Sequence, residues 1–155
     1  MPPEFAMRLC GGLTGLRGLR VLSLRSVHLA PGDVLALTAL TGLTRLEFVD
    51  MCKIGEVQAA AHAIIRSLKH LKCLRMQSCH VDLSSTELLA AVGQLKQLTC
   101  LRLLGNVYGD GGVTEQGLMQ LTGLSRLEQL DVNKNEEVNE QVLGSFWAAM
   151  RQQQQ

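Results

Sequence analysis

The stretch "LKHLKCLRMQSCHV", Leu68 to Val81, changes its hydrophobic period within a single run. Leu68, Leu71 and Leu74 stand three residues apart, and the apolar residues that follow, Met76, Cys79 and Val81, fall mostly two apart. A step of three suits the end of a helix or its exit turn, whereas a step of two belongs to a strand with alternating faces. The same handover recurs along the chain, in "LRVLSLRSVHL" (19–29), "LTRLEFVDMCK" (43–53), "LKCLRMQSCHV" (71–81), "LTCLRLLGNVY" (98–108) and "LEQLDVNKNEE" (127–137). Each copy fits LxxLxL, with Phe48, Met76 and Val132 at the sixth position of three of them. The starts at Leu19, Leu43, Leu71, Leu98 and Leu127 are 24, 28, 27 and 29 residues apart. A near-constant period of this length is the mark of a stacked repeat array.

Composition agrees. The 155 residues suit one domain, and 46% hydrophobic with only 3% aromatic side chains means an aliphatic core built largely of leucine. A formal net charge of +1 lacks the basic excess of a dedicated nucleic-acid binder. The five cysteines, Cys10, Cys52, Cys73, Cys79 and Cys100, are scattered without a CxxC pair. They signal neither a disulfide framework nor a zinc site and fit a reducing, intracellular compartment, cytoplasmic or organellar. No apolar run reaches the roughly 18 residues of a membrane helix, and "MPPEFAMRLCGG" lacks the pattern of a secretory signal.

The pattern LxxLxLxx(N/C)xL resembles the leucine-rich repeat, with Cys79, Asn106 and Asn135 at the ninth position of the last three copies. Val27 holds that position in the first copy and Met51 in the second, with Cys52 one place later. Tails such as "VTEQGLMQLTGL" (113–124) are similar to the cysteine-containing subclass found in ubiquitin-ligase receptors, or to the ribonuclease-inhibitor-like subclass. The resemblance implies an α/β leucine-rich-repeat solenoid spanning residues 1–150, followed by a glutamine-rich tail at 151–155. Short parallel strands are expected near 20–24, 44–48, 72–76, 99–103 and 128–132.

Residue periodicity supports the same architecture independently. The fourth and sixth residues of each repeat point inward on a short strand, and amphipathic segments follow. "SSTELLAAVGQL" opens with Ser84 and Glu87 in capping-box spacing, "EVQAAAHAIIRSL" offers Val57, Ala61, Ile64 and Leu68, and "TEQGLMQLTGL" offers Leu118, Leu121 and Leu124. Strands pack about 4.8 Å apart and helices about 10 Å, so the stack is expected to curve into a short horseshoe arc with strands inside. Asparagine or cysteine at the ninth position would satisfy backbone groups in the turn leaving the strand. No polar capping repeat is visible at either end, so stripes such as Val142, Leu143, Phe146 and Met150 are expected to be exposed or covered by a partner.

No catalytic set emerges. His28, His62, His70 and His80 form no pattern with a nucleophile and an acid, and Cys79 beside His80 is better explained by the repeat than by a metal. "GNVYGDGG" (105–112) lacks the lysine and hydroxyl of a phosphate loop. Neither cofactor nor enzymatic activity is expected. Arg17, Arg20, Arg45, Lys69, His70, Lys72, Lys96 and Arg126 fall at helix ends and strand starts, which stacking gathers on one edge. Asp33, Glu56, Glu87, Asp110, Glu115, Glu136 and Glu140 gather near the other, and each sign complements its end of the helix dipoles.

The third, fifth and seventh positions line the inner face. They place Arg45, Glu47, Val49, Arg75, Gln77, Arg102, Leu104 and Asp131 there, with Val49 and Leu104 expected to be exposed beside Arg75 and Arg102, a mixture suited to an interface centre. The resemblance implies a noncatalytic protein–protein interaction module, an accessory or scaffold subunit of a larger assembly. It also admits a substrate-recognition segment of a ubiquitin ligase, for which no adaptor-binding F-box helix is visible. The basic edge (Arg17, Arg20, Lys69, Lys72, Lys96, Arg126) offers a contact to RNA.

Overall fold

The computed structural model describes residues 15–27, 29, 31–51, 57–79, 81–105 and 112–154. Strands β1 (Val21–Arg25), β2 (Arg45–Val49), β3 (Cys73–Gln77), β4 (Cys100–Leu104) and β5 (Gln129–Val132) alternate with helices α1 (Pro31–Thr38), α2 (Val57–Ser67), α3 (Thr86–Val92), α4 (Glu115–Met119) and α5 (Glu140–Gln153). The strands form one parallel sheet in chain order. Each pairs with the next at the same repeat position, as Leu46 with Leu74 and Leu74 with Leu101. Among the described residues, strands touch neighbouring strands and helices neighbouring helices. This is a solenoid of the leucine-rich-repeat type.

Between the two layers lies the leucine core. Leu46, Leu74 and Leu101 at the fourth position, Phe48, Met76 and Leu103 at the sixth, and Leu43, Leu71 and Leu98 at the first are all buried. Of their counterparts in the first and last of these coils, Leu24 and Leu127 are also buried, whereas Leu19, Leu22, Leu130 and Val132 are partly covered.

The strands start one residue later than the sequence suggests. At the second position the backbone carbonyl takes two amides of the next coil. Arg20 O accepts from Thr44 N (2.8 Å) and Arg45 N (3.0 Å), Thr44 O from Lys72 N (2.7 Å) and Cys73 N (3.0 Å), and Lys72 O from Thr99 N (2.8 Å) and Cys100 N (3.1 Å). This shared acceptor stands before the regular ladder. The far end has its own rung: the eighth-position amides of Ser26, Asp50 and Ser78 each donate at 3.0 Å to the seventh-position carbonyl of the following coil. Those three residues adopt positive φ of 53°, 52° and 51°. Small polar side chains tolerate that left-handed conformation better than branched ones.

Three expectations about the helices are corrected. The N-cap of α3 is Ser85, whose hydroxyl accepts from Leu88 N at 3.3 Å, while Ser84 N donates to Asp82 Oδ1 at 2.9 Å in a preceding turn. Arg151, Gln152 and Gln153, expected as tail, form the last turn of α5, and Gln154 caps it while its side-chain amide donates to Ser125 O at 2.8 Å. The α5 stripe is not exposed. Phe146 and Met150 are buried and Val142, Leu143 and Trp147 pack against the core, because a spacing of four places them on the face turned to α4. Phe146 and Trp147 meet edge to face at 5.3 Å.

Replacing Phe146, fully buried, by alanine is expected to cost about 3–5 kcal/mol in urea unfolding. Leu35→Ala, at a site 73% exposed on α1, is expected to stay within about 0.5 kcal/mol of the parent.

Candidate functional site

The sheet face turned away from the helices carries the third, fifth and seventh residues of each repeat. Its middle column runs Ser23, Glu47, Arg75, Arg102 and Asp131 in register. Arg102 Nε lies 2.9 Å from Asp131 Oδ2. Arg75 turns along its own strand instead of toward Glu47: its Nε donates to Gln77 Oε1 at 3.2 Å, and its Nη2 donates to the same oxygen. Glu47 in turn accepts from the Ser23 hydroxyl at 3.3 Å. The two central guanidinium groups, adjacent in register, are thus each held by a different neighbour.

Two apolar positions differ from expectation. Val49 is buried, at 2% exposure, in register between Arg25 and Gln77. Leu104 is half-buried. Strand pairing between β4 and β5 ends at Leu103 and Val132, and the Asn133 side chain reaches across to accept from Gly105 N at 2.6 Å. Arg45 is exposed, as are Val21 and Gln129 in the same column, where Cys73 and Cys100 lie between Arg45 and Gln129, half-buried and free.

Two turn residues expected to act structurally can be placed. The Asn135 carboxamide accepts from Glu137 N (2.9 Å) and Val138 N (2.8 Å) and donates to Val113 O (3.0 Å), joining the last coil to the one before. Cys79 is buried, and its thiol donates to Phe48 O at 2.9 Å or Gln77 O at 3.1 Å. Burial pushes this thiol up to about 11, against the opposing pull of neighbouring backbone groups. Asn106, expected in the same role, lies outside the described residues, as do Cys10, Cys52, His28, His80, Glu56 and Asp110.

On the basic edge several cations are engaged within the protein. Arg20 Nη1 donates to Gly42 O (3.2 Å), Lys96 Nζ to Gly93 O (2.9 Å) and Gly123 O (3.1 Å), and Arg126 Nη1 to Gln97 Oε1 (2.8 Å). Each of these bonds crosses between coils or satisfies a carbonyl at a helix end. Arg17, Lys69 and Lys72 are exposed, and Arg20, His70 and Lys72 border a shallow groove with Gly42, Thr44 and Gln97. At the opposite edge Asp33, Glu87, Glu115 and Glu140 each stand in the first turn of a helix.

Sequence reasoning missed several connections between coils. Asp82 N donates to Gln58 Oε1 at 2.9 Å and Glu115 N to Glu137 Oε2 at 3.3 Å, so side chains extend the stacking beyond the sheet. The column of Ser26, Asp50 and Ser78 was the one available signal for the left-handed exit from the strands. Among the described residues no group of three or more His, Cys, Asp or Glu is placed to hold a metal ion, and no helix is long and apolar enough to cross a membrane.

Geometry therefore defines a leucine-rich-repeat type of fold with an open, arginine-centred sheet face. A solved structure from Caenorhabditis elegans, the tropomodulin C-terminal domain, superposes on 96% of this chain and 90% of its own with a TM-score of 0.68 and 8% sequence identity. That likeness is one of fold. No family model and no curated protein matches the chain.

Asn135→Ala is expected to lower stability by about 1–3 kcal/mol in denaturant unfolding, because backbone groups on both sides of the turn lose their partner. Cys79 generates a pH dependence. Its folded-state pKa of about 11 lies above the ordinary 9.0, so the folded chain keeps a proton that the unfolded chain releases. The associated stability is complete below pH 9 and is lost as the pH rises through about 11. Urea midpoints measured across that window should fall more steeply for the parent than for Cys79→Ala.

Proposed function

We propose that the protein is a noncatalytic interaction module that binds a protein partner on its open sheet face. It acts as an accessory or scaffold subunit of a larger assembly in a reducing, intracellular compartment. The observation that carries this reading is the fixed pair of arginines at the centre of the face. Arg75 is held by Gln77 and Arg102 by Asp131, both half-buried, with Leu104 alongside. Arginine is favoured at the energetic centres of interfaces, and a side chain already held in place loses less entropy when a partner arrives. On the same face Arg25, Arg45, Arg75 and Arg102 outnumber Glu47 and Asp131, which favours a partner surface with carboxylates to offer.

Crosslinking and mass spectrometry of the native complex identify the partner and the face it covers. Binding of that partner is then compared for two variants with parental circular dichroism, Arg75→Glu/Arg102→Glu and Lys69→Glu/Lys72→Glu. The face variant is expected to lose at least about 2 kcal/mol of binding, roughly thirtyfold, and the edge variant to stay near the parent. Loss confined to the edge variant, together with a flatter salt dependence, would instead support an RNA contact there.

A further inference from the structure

The groove on the basic edge is built from residues that flank the first leucine of successive repeats. Arg20, Thr44 and Lys72 follow that leucine in the first three coils, and Gly42, His70 and Gln97 precede it in the second to fourth. Arg20, His70 and Lys72 are exposed, while Gly42, Thr44 and Gln97 are half-buried. The space measures about 340 Å³, at the lower end of the roughly 300–1,000 Å³ of small-molecule sites.

Its hydrogen-bonding groups decide what can enter. The backbone acceptors are already used. Arg20 O takes Thr44 N, Arg45 N and the Thr44 hydroxyl (3.1 Å), Lys72 O takes Thr99 N, Cys100 N and the Thr99 hydroxyl (3.1 Å), and Thr44 O takes Lys72 N and Cys73 N. Gly42 O takes Arg20 Nη1 at 3.2 Å. Donors are left over: the side chains of Lys72 and His70 have no partner among the described residues, and Arg20 keeps the rest of its five N–H groups. Gln97 Oε1 accepts from Arg126 Nη1 at 2.8 Å, so what this carboxamide has left to offer is its N–H₂ group.

Charge runs the same way. No carboxylate lines the groove, and Arg20, Lys96 and Arg126 donate to neutral oxygens, which fixes these cations in place without cancelling them. The ion pairs of Arg102 with Asp131 and of Lys134 with Glu140 involve other residues. Helix ends at this edge bring carbonyl groups that oppose an anion. In the groove itself, however, the Gly42 carbonyl is covered by Arg20.

Spare donors, consumed backbone acceptors and two permanent positive charges together select an anion. A carboxylate brings one charge and two oxygens, whereas a phosphate group brings up to two charges and three strong acceptor oxygens. The planar fork of arginine and the point charge of lysine both suit it. We propose that the groove binds the phosphate group of a small ligand, held by Arg20 and Lys72 with donors from Gln97 and His70. The site is separate from the open sheet face and needs no protein partner.

The test is a phosphorus NMR titration of the full chain in low-salt chloride buffer, with inorganic pyrophosphate as one probe and glycerol phosphate as the other. Saturable binding of at least one probe, weakened by added sodium chloride, is the expected result; the tighter of the two tells whether the ligand is an inorganic phosphate or a phosphate ester. Gln97→Glu leaves Arg126 its acceptor but sets a carboxylate in the groove, and Lys72→Gln removes a charge without touching a bond within the protein. Each is expected to lose at least about tenfold in affinity, the weight of one charged hydrogen bond. Arg17→Gln/Lys69→Gln removes two exposed cations of the same edge that do not line the groove, and is expected to stay within a few-fold of the parent. Circular dichroism checks that all three variants keep the fold. Absence of binding by either probe, undiminished affinity in Gln97→Glu, or an equal loss in Arg17→Gln/Lys69→Gln would overturn the site. Binding of a single-stranded RNA oligomer without affinity for either probe would overturn the small-ligand class.

Discussion

Register is the constraint on which the rest of this structure depends. Every paired strand residue faces the residue at the same repeat position in the next coil. Whatever occupies a position must therefore suit its own copies on either side, and a side chain that is buried once is buried in the interior coils generally. Leucine meets this demand at the first and fourth positions, because it stacks on itself without polar groups that need partners. Backbone rungs at both ends of the strands, the shared carbonyl at the second position and the left-handed amide at the eighth, hold strand length almost constant. The last pair is the exception, where the Asn133 side chain supplies the acceptor that a backbone carbonyl supplies elsewhere.

The same constraint explains what could be read from the residues. Leu71, Leu74 and Met76 repeat their chemistry in neighbouring coils, so periodicity alone located the sheet and its inward face. The open face repeats only its geometry. Its columns were correctly composed from the sequence, but exposure differs from one residue to the next within a column. Val49 is buried while Arg25, in the same column, is exposed. The partner chosen by Arg75 was equally hidden, since Glu47 and Gln77 were both within reach and only the fold shows that the guanidinium turns to Gln77. Helix ends were legible as to type but not position. Ser84 and Ser85 are chemically equal candidates, and Asp82 decides between them by engaging the first.

The two edges show how a repeat array disposes of its helix termini. Carboxylates enter the first turns of α1, α3, α4 and α5. Cations collect where the helices end, and Lys96 serves two coils at once by donating to the carbonyls of Gly93 and Gly123. Gly93 is needed at that crossing, because a Cβ there would run into the carbonyl oxygen of Gln120. Three cations of the basic edge, Arg20, Lys96 and Arg126, are thus committed to joining one coil to the next.

Among the described residues, contacts between strands and between helices run to the next coil in line, and this gives the molecule a direction along which it can come apart. Tension applied along the array would be carried from coil to coil through these nearest-neighbour junctions. A protein built this way lengthens under load in successive increments of roughly one repeat, each leaving the remaining coils still stacked. Such a chain behaves mechanically less like a single cooperative globule than like a row of links, with strength set by its weakest junction.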